Sequence, residues 1–183
     1  MSCWNFAETV YRLGAGSAAD RPALIHDDLI ISYGELRHRA SGIASYLNSL
    51  DLPAGSHVGH YLRNSNAYME MFVGSGLAGH AHVNVNYRYR DEELIGLANG
   101  LDLRVLVYDA EFAERVMAIR DRLESTVAFI EVGGDEPIAE FAVSLTSLYD
   151  QAPGDFETRT SSDDHVLIAT GGTTGLPKGT QWR

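Results

Sequence analysis

Short β-prone runs alternate with amphipathic helical segments through most of this chain, and no other sequence feature constrains the fold as strongly. The clearest helix carries Leu36, Ala40, Ile43 and Leu47, whose intervals of four, three and four residues are the spacing of one helical face. The order strand, helix, strand, helix is typical of a parallel sheet with helices packed on it. We therefore expect an α/β fold with a mostly parallel, helix-covered sheet.

Capping and turn residues indicate where these elements begin. Asn5 with Glu8, and Ser32 with Glu35, have the spacing of a capping box at a helix start. Asp27-Asp28 separates two apolar runs, which predicts a β-hairpin. Further strands are expected at residues 57–62, 82–85, 104–108, 127–132 and 166–169. Further helices are expected after the N-cap residues 64–66 to about residue 79, from residue 91 to a C-cap at Gly100, and around residues 112–123, with a weak one near residues 144–149.

The charge balance limits the classes of partner. The 183 residues include 25 Asp and Glu against 14 Lys and Arg, which gives a formal net charge of −11. Nucleic acid and anionic membrane surfaces would be repelled at long range by this charge. An anionic small ligand therefore needs local groups that neutralise it.

The length of the chain predicts one globular domain, large enough to be stable without a structural metal or disulfide. Its single cysteine, Cys3, excludes an internal disulfide. The longest apolar stretch, residues 71–85, is interrupted by Gly and His, so no transmembrane helix is expected. The first residues lack the basic start and apolar run of a secretory signal, so we expect a cytoplasmic location.

The most informative segment for function is residues 170–180, which read Thr-Gly-Gly-Thr-Thr-Gly-Leu-Pro-Lys-Gly-Thr directly after the last expected strand. Its glycines allow successive backbone N–H groups to form a concave nest for anionic oxygens. The threonine hydroxyls and the ammonium group of Lys178 add charge-assisted donors, which a triphosphate needs in an acidic protein. We interpret the segment as a phosphate-binding loop.

Two other interpretations of this loop are less favoured. The Walker loop of kinases and ATPases requires Gly before the lysine and Ser or Thr after it, whereas Lys178 lies between Pro177 and Gly179. No strand-then-helix pattern accompanies the loop either. A Gly/Thr-rich surface turn between two strands is the structural alternative, and the density of hydrogen-bond donors favours phosphate binding over it.

The loop resembles the signature of the adenylate-forming acyl-CoA synthetases, also called AMP-dependent synthetases and ligases. That signature reads Thr-Ser-Gly-Thr-Thr-Gly-x-Pro-Lys-Gly, and this chain differs by Gly171 in place of Ser. Residues 31–36 resemble an early family segment, and residues 84–89, Asn-Val-Asn-Tyr-Arg-Tyr, resemble a second one that is typical of fatty-acyl-CoA ligases. Trp182-Arg183 further resembles ligases for bulky acyl chains. The similarity extends from about Phe6 to the last residue.

The resemblance implies a two-step reaction. In this family a carboxylate attacks the α-phosphate of ATP and releases pyrophosphate, and the thiol of coenzyme A then attacks the acyl-adenylate to form a thioester. The loop binds the β- and γ-phosphates together with Mg²⁺ and stabilises charge on the departing pyrophosphate. The residues that the resemblance assigns to ATP phosphate binding are Thr170, Gly171, Gly172, Thr173, Thr174, Gly175 and Lys178.

The resemblance also implies that residues 1–183 are an incomplete N-terminal AMP-binding domain, with a loop-rich connector at residues 133–164 leading to the loop at 170–180. The family's magnesium ligand, adenine contacts, acyl pocket and C-terminal lysine all follow the loop, so no catalytic residue and no metal ligand is assigned here. We expect this chain alone to be inactive and prone to self-association through open strand edges. The complete enzyme is expected to act on a fatty or other bulky carboxylate. The alternative is a truncated, non-catalytic remnant with at most weak phosphate binding.

Weaker signals have simpler explanations. The histidines at positions 57, 60, 80 and 82 suggest a metal site, but no Cys or acidic partner has ligand spacing, so packed histidines are expected. The Asp163-Asp164-His165 run suggests an acid–base pair, although a solvated strand start is favoured.

Two further segments are candidates for ligand binding, and one of them, residues 61–65, is expected at the carboxyl end of a strand, where open α/β sheets place ligands. Arg88-Tyr89-Arg90 could contact a nucleotide or coenzyme A phosphate. Acidic residues follow it at once, so a solvated helix start is favoured. Residues 61–65 are a second candidate binding loop, also less favoured than a structural role.

Overall fold

The computed structural model describes residues 5–153, 156–170 and 178–182 of the chain. No helix within these ranges is long and apolar enough to cross a membrane. The helices are α1 (Phe6–Ala15), α2 (Tyr33–Ser49), α3 (Asn66–Leu77), α4 (Asp91–Gly100) and α5 (Ala113–Ile119). The strands are β1 (Pro22–His26), β2 (Leu29–Ser32), β3 (His57–Tyr61), β4 (Ala81–Asn84), β5 (Leu103–Asp109), β6 (Ala128–Val132), β7 (Val143–Ser144), β8 (Val166–Thr170) and β9 (Lys178–Trp182).

Strands β3 to β9 form one seven-stranded sheet in the order β7-β6-β5-β3-β4-β8-β9. Every neighbouring pair is parallel except β8 and β9, which are antiparallel. Parallel neighbours need crossover connections, and the alternating helices supply them. The expected α/β fold with a mostly parallel sheet is therefore confirmed. Strands β1 and β2 form the expected hairpin as a separate antiparallel pair.

The chain folds as two compact units, and the seven-stranded sheet with α4 and α5 belongs to one of them. Its core is formed where these two helices pack on the sheet: Leu94 and Leu97 of α4 and Val116 of α5 share one buried cluster with Val83 and Leu106. Burying a side chain of this kind contributes about 1.5–3 kcal/mol. The periodically spaced apolar residues of α4 and α5 therefore form the contact between these helices and the sheet.

The second unit contains α1, α2, α3, the hairpin and residues 147–164. Gly74 of α3 lies so close to α2 that an added Cβ would stand 2.5 Å from the Ile43 side chain. Glu70 of α3 is buried, and its carboxylate accepts hydrogen bonds from Arg39 Nη1 at 2.9 Å and from the Tyr149 hydroxyl at 2.6 Å. Because a buried carboxylate without partners is costly, this network ties residue 149 to both helices.

The expected connector at residues 133–164 has more structure than its loop-like composition indicates. Strand β7 extends the sheet beside β6. Glu131 of β6 is buried and accepts hydrogen bonds from the Tyr108 hydroxyl at 3.0 Å and from the backbone N–H groups of Ile138 at 2.7 Å and Ala139 at 3.2 Å. A single side chain thus organises the turn that leads to β7, which no periodic pattern could indicate.

Two histidines form a buried pair between adjacent strands. The Nδ1 atoms of His60 in β3 and His82 in β4 lie 2.9 Å apart, and the rings meet edge to face. One Nδ1 donates and the other accepts, so two neutral rings satisfy the contact. Burial lowers the pKa of His82 to about 4. Burial, with a smaller contribution from the neighbouring His82, holds the pKa of His60 well below its usual range.

This pair predicts a loss of stability in acid. Both rings bind protons more weakly in the folded chain than in the unfolded chain, whose histidine pKa is near 6.5, so protonation favours unfolding. The stabilisation is complete above that pKa and is lost as the pH falls from 6.5 towards 4, by on the order of 1 kcal/mol per pH unit for each ring. Urea unfolding at several pH values measures the slope.

His82→Asn should make the dependence of the unfolding free energy on pH shallower. His26→Asn is the control, because the His26 side chain is half exposed, and it should leave this dependence unchanged. A wild-type slope in His82→Asn would contradict the assignment.

A second prediction concerns a close approach between α2 and the following segment. A Cβ at Gly42 would stand 2.1 Å from the carbonyl oxygen of Leu148 and 2.4 Å from that of Tyr149, both backbone atoms. Gly42→Ala should therefore lower the free energy of unfolding by about 1–3 kcal/mol. Gly100→Ala is the control, since a Cβ there meets nothing within 4 Å and should stabilise α4 by up to about 1 kcal/mol. Equal effects of the two substitutions in thermal unfolding would contradict this packing.

Candidate phosphate-binding site

The expected phosphate loop lies between β8 and β9, which are the antiparallel pair of the sheet among the residues that the structure describes. In the β8–β9 ladder, Thr170 and Lys178 are Cα partners, so the two ends of the loop lie opposite each other. Residues 171–177 lie outside the described residues, and they include five of the residues assigned to phosphate binding: Gly171, Gly172, Thr173, Thr174 and Gly175. The structure therefore places the backbone at both ends of the loop.

The loop leaves the sheet at its carboxyl edge. Strand β8 runs parallel to β4, with Ile168 paired to Asn84 at the carboxyl end of β4. Open α/β sheets bind ligands at this edge, because the loops that follow parallel strands gather there. The loop is followed by strand β9, whereas a Walker loop leads into a helix. A surface turn between two strands would have the same backbone ladder, so the choice between these interpretations depends on the chemistry of the loop.

Lys178 is the only lysine among the 183 residues, whereas the sequence contains 13 arginines. Lysine presents a compact ammonium charge, and arginine presents a planar fork that forms ion pairs more readily. The chain thus places its single ammonium side chain at the end of a segment rich in glycine and threonine. This observation favours phosphate binding over a surface turn.

The candidate binding loop at residues 61–65 has an arginine that is already paired. The backbone N–H of Arg63 donates to Asp109 Oδ2 at 2.7 Å, and its guanidinium forms a two-pronged ion pair with Glu111. The same guanidinium stacks over the Tyr87 ring, 4.8 Å from its centre. Burial raises the pKa of the Asp109 carboxyl. These contacts support the structural role that the sequence favours for this segment.

The Arg88-Tyr89-Arg90 cluster begins α4, as expected. The Tyr89 side chain is buried, and its carbonyl oxygen accepts a hydrogen bond from the Tyr61 hydroxyl at 2.8 Å. The backbone N–H of Arg90 donates to the Glu93 carboxylate at 3.0 Å. The arginine side chains are exposed at the surface. The cluster is a helix start whose tyrosine belongs to the core.

The four histidines of residues 57–82 have separate packing contacts. His57 lies 2.5 Å from the Leu101 carbonyl oxygen through Nδ1, and His80 is buried in the other unit. Among the described residues, no group of three or more His, Cys, Asp or Glu side chains could hold a metal ion. The paired rings of His60 and His82 instead pack between β3 and β4.

In the Asp163-Asp164-His165 run, Asp164 and His165 have separate structural contacts. Asp164 Oδ2 accepts hydrogen bonds from Asn5 Nδ2 and from the backbone N–H of Ser161, both at 2.8 Å. His165 packs its ring against His57. The sequence indicates Asn5 as a helix cap but contains no signal for its bond to a residue 159 positions away.

Several known proteins are similar in sequence to this chain. The sequence profile of a family described as "AMP-binding enzyme" matches residues 12–183. A medium/long-chain-fatty-acid–CoA/3-oxocholest-4-en-26-oate–CoA ligase of Mycolicibacterium smegmatis is 35% identical, over 90% of this chain and 30% of its own length. A 3-oxocholest-4-en-26-oate–CoA ligase of Rhodococcus rhodochrous is 32% identical, over the same shares of the two chains.

Solved structures show the same fold. The anthranilate CoA ligase AuaEII in complex with anthranoyl-AMP superimposes with a TM-score of 0.87 at 23% identity, covering 99% of this chain and 35% of the ligase. The N-terminal domain of FACL13 from Mycobacterium tuberculosis superimposes with a TM-score of 0.79 at 23% identity, covering 96% of this chain and 44% of that domain.

The relatives also show how much of a ligase this chain represents. It spans about a third of the length of the curated relatives that it matches. The matched part is the N-terminal part of these enzymes. The family profile covers residues 12 to 183, and the fold is shared with solved ligases. The chain therefore belongs to the AMP-binding enzyme family, and it corresponds to the N-terminal part of enzymes similar to fatty-acyl-CoA ligases.

Proposed function

We propose that the chain is the N-terminal part of an ATP-dependent acyl-CoA synthetase. The reaction converts a carboxylate and ATP to an acyl-adenylate and pyrophosphate, and then forms a thioester with coenzyme A. Since the relatives are about three times as long, the whole reaction is proposed for a protein of that length. The names of the relatives support a fatty or steroid-like carboxylate as the substrate. A cytoplasmic location is part of the same proposal.

The observation that carries the proposal is the position of the sequence's single lysine, Lys178, at the end of a glycine- and threonine-rich segment and opposite Thr170 in the β8–β9 ladder. In this assignment the backbone N–H groups of the loop glycines and the threonine hydroxyls donate to the β- and γ-phosphate oxygens. The ammonium group of Lys178 neutralises charge that grows on the departing pyrophosphate. The phosphate-binding set is Thr170, Gly171, Gly172, Thr173, Thr174, Gly175 and Lys178.

Magnesium would accompany ATP and withdraw charge from its phosphates. In the part of the chain that the structure describes, no group of three or more His, Cys, Asp or Glu side chains could hold a metal ion. No step of the reaction is assigned to a metal held by these residues. The coenzyme A site and the adenine contacts are likewise proposed for the remainder of a full-length ligase.

Exchange of pyrophosphate into ATP tests the adenylation step in the longest product of the gene. Lys178→Ala should slow carboxylate-dependent exchange by about 30- to 1,000-fold, equivalent to about 2–4 kcal/mol of lost transition-state stabilisation. Arg122→Ala is the matched control, because it removes a positive charge that pairs with Glu92 on the surface. Unchanged exchange in Lys178→Ala would contradict the loop assignment. Absence of exchange with every carboxylate tried would favour the non-catalytic alternative.

Phosphate binding by the 183-residue chain can be measured separately from catalysis. Because Lys178 is the only lysine, an amine-reactive reagent such as trinitrobenzenesulfonate can modify one side-chain amine. ATP or pyrophosphate should protect this amine, while the α-amine of the same chain serves as an internal reference. Mass spectrometry of the peptide that contains Lys178 gives the concentration for half-protection. Equal modification at saturating pyrophosphate would show that the chain does not bind phosphate through this loop.

A further inference from the structure

One asparagine side chain joins the end of α4 to the connection between α5 and β6. Asn99 Nδ2 donates to the Arg122 carbonyl oxygen at 2.9 Å, and the Glu124 backbone N–H donates to Asn99 Oδ1 at 3.1 Å. Leu123, which lies between these two partners in the chain, is buried. All four residues belong to the same compact unit. The two hydrogen bonds, called the Asn99 clamp below, therefore use both polar atoms of the side-chain amide.

The residue that follows Asn99 makes this position chemically distinct. It is Gly100, and no other asparagine of the sequence is followed by glycine. Glycine has no Cβ beside its backbone nitrogen and adopts many backbone conformations, so this nitrogen can approach the preceding side chain. Gly100 is exposed, and a Cβ there would meet nothing within 4 Å. The local sequence thus favours attack of the Gly100 nitrogen on the Asn99 amide.

This attack is the first step of deamidation. The Gly100 backbone nitrogen gives its proton to hydroxide or water and forms a bond to Asn99 Cγ. The bond from Cγ to Nδ2 breaks, and the nitrogen leaves as ammonia, so a five-membered succinimide ring remains. One water molecule then opens the ring at either carbonyl and gives aspartate or isoaspartate. Water is the only co-reactant, and nothing is oxidised or reduced.

The native fold opposes the first step in two ways. Asn99 and Gly100 are the last two residues of α4, and helical geometry directs the Gly100 N–H along the helix axis. The Asn99 clamp also holds the amide, so Cγ cannot turn towards the Gly100 nitrogen. The reaction therefore requires the last turn of α4 to open. Local opening at the end of an element costs less free energy than unfolding of the whole chain.

The product would not restore the clamp. A carboxylate at position 99 has no N–H group, so it would present an oxygen to the Arg122 carbonyl oxygen, and two acceptors would face each other. The Arg122 guanidinium already donates to both carboxylate oxygens of Glu92, at 2.7 and 2.8 Å. The new negative charge would also add to that of the nearby Glu124 side chain. Deamidation therefore weakens the contact between the end of α4 and the α5–β6 connection.

We propose that Asn99-Gly100 is a site of spontaneous modification that the native clamp keeps closed. Conversion of Asn99 to aspartate or isoaspartate releases the connection between α5 and β6. The inference does not depend on the ligase activity proposed above.

The rate of modification tests whether the fold closes the site. The wild-type chain is incubated in mildly alkaline buffer with and without urea, and mass spectrometry of its peptides measures deamidation at each asparagine. In urea, Asn99 should react before every other asparagine, and in the folded chain it should react at least about tenfold more slowly. Gly100→Ala is the matched control, since it retains the clamp and should slow the reaction in urea by about tenfold or more. Equal rates at Asn99 in the folded and unfolded chain, or earlier reaction at another asparagine in urea, overturn the proposal.

Hydrogen–deuterium exchange tests the consequence of modification. Asn99→Asp should raise the exchange rate of the peptide that covers residues 120–127 by about tenfold. Asn86→Asp is the matched control, because it adds the same charge but retains the oxygen that accepts from the Arg88 backbone N–H. It should leave the exchange of residues 120–127 unchanged. Wild-type exchange in Asn99→Asp, or an equal increase in the two variants, overturns the proposal.

A second sample keeps this test decisive if Asn99→Asp does not fold. An aged wild-type preparation, in which part of the chains carry the modification, should then show two exchange populations in the same peptide. The faster population should grow in proportion to the deamidated fraction at Asn99. A single population at substantial deamidation shows that the connection is not released, and it overturns the proposal.

Discussion

Parallel pairing of the strands is the constraint on which the other features of this sheet depend. Strands β3, β4, β5, β6 and β8 run in the same direction, so their carboxyl ends all lie at one edge of the sheet. Each connection between parallel neighbours therefore crosses back over the sheet. The segments that follow these strands meet at that edge, and the arginines at positions 63 and 88 are among them. Arg63 is already paired with Glu111. The glycine- and threonine-rich loop is the segment whose composition suits an anionic ligand.

In the described part of the sheet, β8 and β9 are the antiparallel pair, and their ladder brings the two ends of the loop opposite each other. A helix after the loop would contribute the positive end of its dipole to a bound phosphate, as in Walker proteins. A returning strand contributes no such dipole, so in the proposed assignment backbone N–H groups, hydroxyls and the single lysine supply the neutralising donors. Residues 170–180 contain four threonines, four glycines and one lysine in a chain with a net charge of −11, and this composition suits the proposed assignment.

Buried carboxylates connect distant parts of each unit. Glu70 is shared by Arg39 and the Tyr149 hydroxyl, and Glu131 is held by the Tyr108 hydroxyl and two backbone N–H groups. Each acid is stable in the interior only while its donors remain in place, so it restricts the segments that provide them. Glu70 raises the pKa of Tyr149 together with burial, which keeps that hydroxyl a donor. These contacts, rather than local propensity, position Ile138, Ala139 and Tyr149 in the segment that follows β6.

The sequence by itself determined the features that depend on neighbouring residues. The helix caps Asn5, Ser32 and Ser65 accept from backbone N–H groups three residues ahead, and the apolar spacing of α2 and the phosphate-loop motif are equally local. Local signals placed several bounds a residue or more from the observed ones; the expected strand at 82–85, for example, begins at Ala81, where the ladder with β3 starts. Tertiary structure alone decided the strand order, the pairing of His60 with His82 and the contact of Glu8 with Thr158. These groups are 22 and 150 residues apart along the chain, and no short-range pattern encodes which distant donors a folded backbone will bring within hydrogen-bond distance.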